Sequence, residues 1–206
     1  MTGVQTCALP ILALLITHTG PEPLTYEDVV IQCHLDPDDD DSAERDLIER
    51  IVIPAARGLA EQTTGAAIRK GRYRDHIPVI PASNVLAMTV GQAYALECIA
   101  LGVTADAPTL DASAAYLVNT GQESLLYTRE GGRWRDVAGN SPQGMMLTYL
   151  AGIEIDHHPS VRHYLLLAAA WAYRHRELLV LGQTLNELPE RYLLTLLAGI
   201  TVPPRI

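Results

Sequence analysis

The chain is 206 residues long with a net charge of −9 and 48% apolar residues, enough for one real hydrophobic core and far from the composition of a disordered or membrane-embedded chain. The acidic balance argues against a surface whose main task is gripping nucleic acid, although it suits one past which nucleic acid must slide without sticking. The three cysteines, Cys7, Cys33 and Cys98, fall in no metal or redox spacing and read as buried free thiols of a reducing compartment.

Thr2 to Ile11, TGVQTCALPI, reads back codon by codon as a common sequencing-library adapter translated in frame. Residues 1–11 are therefore set aside as an artefact. A signal peptide is the weaker alternative, because the apolar run Ala8–Ile16 has no positively charged segment before it. From Leu12 onward ALLITHTG suggests a short leading strand, and Pro21 and Pro23 mark an extended entry. Thr25 followed by Asp28 forms a capping-box-like start for a helix to about His34, with Val29, Val30 and Cys33 on its buried side.

Asp36, Asp38 and Asp40 alternate as in a calcium loop. Asp41 stands where the sixth-position Gly belongs, however, and Leu47 where the bidentate Glu belongs. A solvated loop whose last acidic groups and Ser42 cap the next helix is the better reading. That helix is expected over Ala43–Thr63, with Leu47, Ile51, Pro54/Ala55, Leu59 and Gln62 tracing one face and Ile48, Val52 and Ala56 widening it. Pro54 should kink or interrupt it, and Gly65 should close it with a left-handed cap.

The middle of the chain changes character. Ala67–His76 alternates basic and apolar residues. Val85–Thr89, Ala93–Ile99, Ala114–Asn119, Ser124–Arg129, Trp134–Val137 and Met145–Leu150 are short, β-leaning and separated by turn formers. Glu130-Gly131-Gly132-Arg133 reads as a hairpin turn. At Pro159, with Ser160 a candidate N-cap, the sequence returns to helix until Gly182. Tyr164–Tyr173 is uninterruptedly apolar, too short to span a bilayer and apolar all round, so it needs cover on every side, part of it from a neighbouring copy. Asn186 is expected to cap a last helix with Pro189 in its first turn, an apolar face of Leu193, Leu194, Leu196 and Leu197, and Gly199 as its end. Thr201–Ile206 follows as a short extended arm. The fold class read from this pattern is α+β, mainly α: a helical bundle with a small antiparallel β insertion in the middle third. The divisions are 12–66 (helical), 67–156 (β-rich) and 157–206 (C-terminal helices and tail), within one domain.

No catalytic constellation stands out. His157, His158 and His163 crowd the start of the central helix, with Glu154 or Asp156 as nominal partners for a metal, but adjacent ligands diverge and no HExxH-type spacing occurs. Solvated helix-start histidines are the simpler reading, and no metal or other cofactor is expected. Arg174, His175, Arg176 and Glu177 at the foot of the apolar helix read as charges that pair with acidic neighbours within or across subunits.

The order of these elements resembles the head–tail connector (adaptor, or head-completion) proteins of tailed bacteriophages and prophages. The residues carrying the resemblance are ITHTGPEPLTYEDV from Ile16, HLDPDDDDSAERDLIERI from His34, PAARGLAEQTTGAAI from Pro54, AAYLVNT from Ala114, GGRWRDV from Gly131, LTYLAGI from Leu147, HPSVRHYLLLAAAWAYRHRE from His158 and NELPERYLLTLLAGI from Asn186. Together they cover nearly the whole chain after the adapter-like start; no one of them is diagnostic. Pro54 and the strongly apolar stretch Val90–Pro108 depart from the pattern. The resemblance implies a structural protein with no catalytic residues, forming a ring, commonly of twelve copies, beneath the portal. That ring extends the DNA channel and docks the stopper or tail, without sequence-specific DNA binding or membrane contact. It also implies a place in the virion at the head–tail interface, with assembly in the host cytoplasm. Candidate interface residues are Tyr164, Trp171, Arg174 and Arg176 on the central helix and Pro203, Pro204 and Arg205 in the arm, the arm reaching the portal. The alternatives are a small metal-dependent enzyme using His157, His158 and His163, and a DNA-binding regulator, which the acidic balance disfavours.

Overall fold

The computed structural model describes residues 13–36, 42–104, 106–139, 141, 143–175 and 190–204. In chain order the elements are β1 (Leu14–His18), α1 (Tyr26–Cys33), α2 (Ser42–Leu47), a π-helical turn (Ile48–Val52), α3 (Ile53–Thr64), β2 (Gly71–Ile77), β3 (Val85–Ala87), β4 (Ala93–Ala100), β5 (Thr109–Leu110), β6 (Ala115–Asn119), β7 (Ser124–Thr128), α4 (Trp134–Ala138), β8 (Met145–Ala151), α5 (Pro159–Arg174) and α6 (Glu190–Leu197).

The expected helical bundle with a small β insertion is corrected. Eight strands among the described residues form two antiparallel sheets, one in the order β1-β2-β8-β4-β5 and the other β3-β7-β6. They rival the helices in weight and enclose a hydrophobic core of their own. That core gathers Met88, Ile99, Leu126, Trp134, Met145, Leu147 and Tyr149, all essentially inaccessible to solvent. In β8 the burial alternates strictly, with Met145, Leu147, Tyr149 and Ala151 inward, the period-two pattern of a half-buried strand. The sheet is also not confined to the middle of the chain. β1 comes from the opening segment and pairs antiparallel with β2, Leu15 opposite Tyr73 and His18 opposite Gly71.

A second core belongs to the helices, where Ile48, Val52, Ile53, Ala56 and Ala60 meet Val161, Tyr164, Leu165, Ala169 and Leu197. α1 begins as the sequence predicts. The Thr25 hydroxyl accepts from the Asp28 N–H (3.2 Å), the Asp28 carboxylate accepts from the Thr25 N–H (2.9 Å), and Val29 and Val30 are buried.

The helix from Ser42 to Thr64 runs through Pro54 without a break, because the turn before it widens. The Ile53 N–H donates to the Ile48 carbonyl, a π-type bond spanning one residue more than an α-turn. Proline has no N–H to give and would crowd the carbonyl four residues back, so a wide turn placed just ahead accommodates it within the first turn of α3. The expected face is corrected too. The inward stripe is Ile48, Val52, Ala56 and Ala60, whereas Ile51 and Leu59 are 60% and 53% exposed. Two apolar stripes lie side by side on this helix, and sequence periodicity does not say which one faces in.

Trp134–Val137 is a helical turn rather than the expected strand. After the turn at Gly131 the chain curls once and drives the Trp134 side chain into the β core, where its indole N–H donates to the Leu126 carbonyl (3.3 Å). At the start of α5, His158 rather than Ser160 holds the N-cap position and Pro159 opens the helix, where its missing N–H costs nothing. Residues 37–41 of the acidic loop, expected to be solvated and to cap the next helix, lie outside the described residues, as do the Asn186 cap and Pro189.

Candidate functional site

The helical and β layers are joined by a charged seam that sequence reading missed. Arg57 of α3 donates through Nε to Glu22 (2.8 Å) and through Nη1 to Glu61 (2.6 Å), and Arg69 donates through Nη1 to Glu22 (2.6 Å) and through Nε to the Gly20 carbonyl (2.9 Å). The other Glu61 oxygen accepts from the Ile68 and Arg69 N–H groups (2.9 and 3.1 Å). Burial works against the charge on Arg57, but the Glu22 and Glu61 carboxylates outweigh it and raise its pKa. Beside the seam, His18 is held below its usual pKa by burial and then by the charges of Arg69 and Arg57. Nothing in the linear spacing brings Glu22 and Arg69 together; only the pairing of β1 with β2 does.

The predicted histidine cluster does not converge. His157 is exposed in a short 3-10 turn, His158 ends it, and His163 is exposed on α5, its ring edge-on to Tyr192 at 6.4 Å. Among the described residues no group of three or more His, Cys, Asp or Glu side chains is arranged to hold a metal ion, and no helix is long and apolar enough to cross a membrane. An open cleft of about 880 Å³ beside α4 is lined by Ser113, Arg129, Glu130 and Asp136. The Arg129 Nε is occupied by the Ser113 carbonyl (2.7 Å).

Arg162, next to these histidines, bonds Asp28 at 2.7 Å and Asp156 at 3.3 Å, tying α5 to α1. Burial raises the Asp28 carboxyl's pKa. The Thr25 backbone N–H and the Arg162 guanidinium more than reverse that, leaving it below the usual carboxylate range. Within the β core, burial pushes the Tyr73 phenol up to about 12, with the Glu61 charge adding to it. Tyr149 rises further, through burial and then the charge of Asp75.

Two of the expected interface residues, Tyr164 and Trp171, line one apolar groove. It has a volume of about 400 Å³ and lies between α3, α5 and α6, with Ala55, Leu59, Ala168 and Leu193 completing its walls. Tyr164 is buried at its floor, while Trp171 stays 37% exposed at the rim, its ring stacked on His175 with centroids 4.7 Å apart. The chain's own α1, α3 and α6 thus cover much of α5, and Leu166, Leu167 and Ala168 are half-buried. Arg174 is exposed at the end of the helix, and Arg176 lies outside the described residues.

The arm is separate from this groove. Ile200 is buried and the Val202 N–H donates to the Thr64 carbonyl at the end of α3 (2.8 Å), after which Pro203 and Pro204 are exposed. Arg205 lies outside the described residues. The C-terminal segment is therefore docked as far as Val202, with Pro203 and Pro204 exposed beyond it.

The same architecture occurs in solved structures. A chain from the neck of an empty GTA particle, computed with C6 symmetry, superposes with a TM-score of 0.69 over 94% of this chain and 97% of that one, at 14% sequence identity. A chain from the virion of a native gene transfer agent (GTA) particle gives 0.61, covering 95% and 97% at 14% identity. A chain from the neck of a native GTA particle computed with C12 symmetry gives 0.57, covering 80% and 89%, again at 14% identity. No family model and no curated protein matches the sequence. The fold is thus one found in the necks of gene transfer agent particles, in agreement with the resemblance to head–tail connectors read from the sequence.

Proposed function

We propose that this chain is a structural neck component of a tailed-phage-like particle, a head–tail connector that forms a ring beneath the portal, prolongs the DNA channel and presents a platform to the stopper or tail. The observation that carries this reading is the fold likeness to a neck chain over nearly the full length of both proteins. Two of the likenesses come from reconstructions with C6 or C12 symmetry, which supports a closed ring of copies. The net charge of −9 suits a conduit, since an acidic wall repels phosphates and lets DNA pass.

Within this reading the groove beside Trp171 receives a neighbouring copy, and the exposed Pro203-Pro204 segment reaches the portal. The protein works in the virion at the head–tail interface, after assembly in the host cytoplasm, and performs no catalysis. No observation favours the metal-enzyme alternative: among the described residues His157, His158 and His163 form no group arranged to hold a metal ion.

The test is assembly on a portal protein from the same phage or prophage. Purified protein mixed with portal rings should co-sediment and add a ring of density, expected at twelve copies, seen by electron microscopy. Portal rings that remain bare at saturating protein would sink the proposal, as would stoichiometric metal in the purified chain together with a hydrolytic or redox activity lost on chelation.

A further inference from the structure

We infer that Val202 is the anchor of the C-terminal arm, seated in a socket made by Gly65 and Gly91, and that this seat pre-aims Pro203-Pro204 for capture by the portal; the inference rests on the connector reading above. α3 ends in the left-handed Gly65 (φ +68°), leaving the Thr64 carbonyl without a helical partner, and the Val202 N–H fills that vacancy at 2.8 Å. Gly91, on the connection between β3 and β4, closes the other wall. Its N–H donates to the Gly65 carbonyl (3.1 Å) and its carbonyl accepts from the Ala67 N–H (3.3 Å). A Cβ at Gly91 would stand 2.7 Å from the Val202 Cγ2 and 3.1 Å from the Gln122 carbonyl, and one at Gly65 would stand 3.5 Å from the Val202 Cβ. The socket therefore depends on Gly91 lacking a side chain, while Gly65 contributes the left-handed turn that ends α3 and leaves Val202 in ordinary contact.

The approach to the seat is equally fixed. The Thr201 hydroxyl donates to the Leu197 carbonyl (2.9 Å), and the Gln122 side chain donates to the Ala198 carbonyl (3.0 Å) from the loop between β6 and β7. The end of α3, the β3–β4 connection, the β6–β7 loop and α6 thus all converge on the root of the arm. Beyond Val202 the restraint changes kind. Each proline fixes its own φ and biases the residue before it to extended backbone, so Val202 and Pro203 are held extended and Pro203-Pro204 leaves the seat as a stiff strut with no N–H to bond back onto the fold. A strut rigid in itself and fixed at its base loses less freedom on capture than a loose tail, and this raises affinity without adding a contact.

The experiment compares portal binding by the full chain, a deletion of residues 203–206, Gly91→Ala, Val202→Ala and the double variant, with amide exchange at Val202 read in parallel. The deletion is expected to abolish binding. Each single substitution is expected to accelerate exchange at Val202 and weaken binding about three- to tenfold, with the double variant no weaker than the worse single, because both remove the same seat. Val202→Ala keeps the test valid should Gly91→Ala fold poorly. Loss of binding on deletion, with both substitutions at wild-type affinity or with Val202 exchange unchanged, overturns the anchor and leaves the arm's role standing. Full binding by the deletion overturns that role and the anchor with it.

Discussion

Glu22 and Arg57, 35 positions apart in sequence, are joined at 2.8 Å with only 19% and 12% of their side chains exposed. This pair fixes the loop after β1 to the helical layer, and Arg69 adds a second cation to the same carboxylate. Charges so poorly exposed are little screened by salt. Removing Arg57 leaves Glu22 with Arg69 as its one remaining cation among the described residues and takes the guanidinium away from Glu61.

Arg57→Ala should therefore destabilise the fold by about 2 kcal/mol, a fall in Tm on the order of 5 °C, because Arg69 still pairs with Glu22. Calorimetry at low and high salt tests it. A shift of only a degree or two, or one erased by salt, would show the seam to be a surface decoration.

Asp28 carries a pH signature. Its folded pKa is depressed by the Thr25 N–H and Arg162, which overcome the opposing burial. Its stabilisation is therefore fully present above the unfolded value of about 3.9 and is lost as pH falls through the lower folded value. Asp28→Asn should cost about 1–2 kcal/mol at neutral pH and clearly less near pH 2. Urea titrations at the two pH values measure the difference, and an equal cost at both would refute the assignment.

Gly144 sits at φ +71°, and a Cβ there would run into the Ile77 carbonyl oxygen and the Pro78 backbone just before β8 begins. Gly144→Ala should cost about 3 kcal/mol or more, since strain and collision act together. Gly58→Ala, in open space on α3, is the matched control and should be neutral or stabilising by up to about 1 kcal/mol. Equal behaviour of the two variants in denaturant unfolding would contradict this account.

Leu59, 53% exposed on the wall of the apolar groove, separates folding from assembly. Leu59→Asp should leave the stability of the isolated chain within about 0.5 kcal/mol while preventing ring formation on the portal. Rings of wild-type occupancy with this variant would remove the groove from the subunit contact.

The local signals in this sequence were reliable where a single element settles the matter. The capping box at Thr25 and Asp28, the strands expected at Ala114–Asn119 and Ser124–Arg129 and found one residue shorter each, and the Gly65 stop all follow from side-chain chemistry within a few residues. What escaped depended on partners far along the chain. The choice between the Ile48 and Ile51 stripes is made by α5, the helical turn at Trp134 by the vacancy in the β core that its ring fills, and the seam by the pairing of β1 with β2. The fold class was misjudged for the same reason. Short strands look like minor decoration until they are seen to share one core. At the candidate interface, the apolar character of Tyr164 and Trp171 was legible, but that one forms the floor of a groove and the other its rim was not.

The strand order has a consequence for biogenesis. β2 finds its central neighbour in β8, and the inward faces of α1 and α3 wait for α5 and α6, so the β core cannot be sealed before residue 151, nor the helical core before residue 200, has left the ribosome. Non-local pairing of this kind slows folding. A nascent copy therefore spends most of its synthesis with greasy surface uncovered, and shielding during translation bears directly on how much of it reaches the folded state.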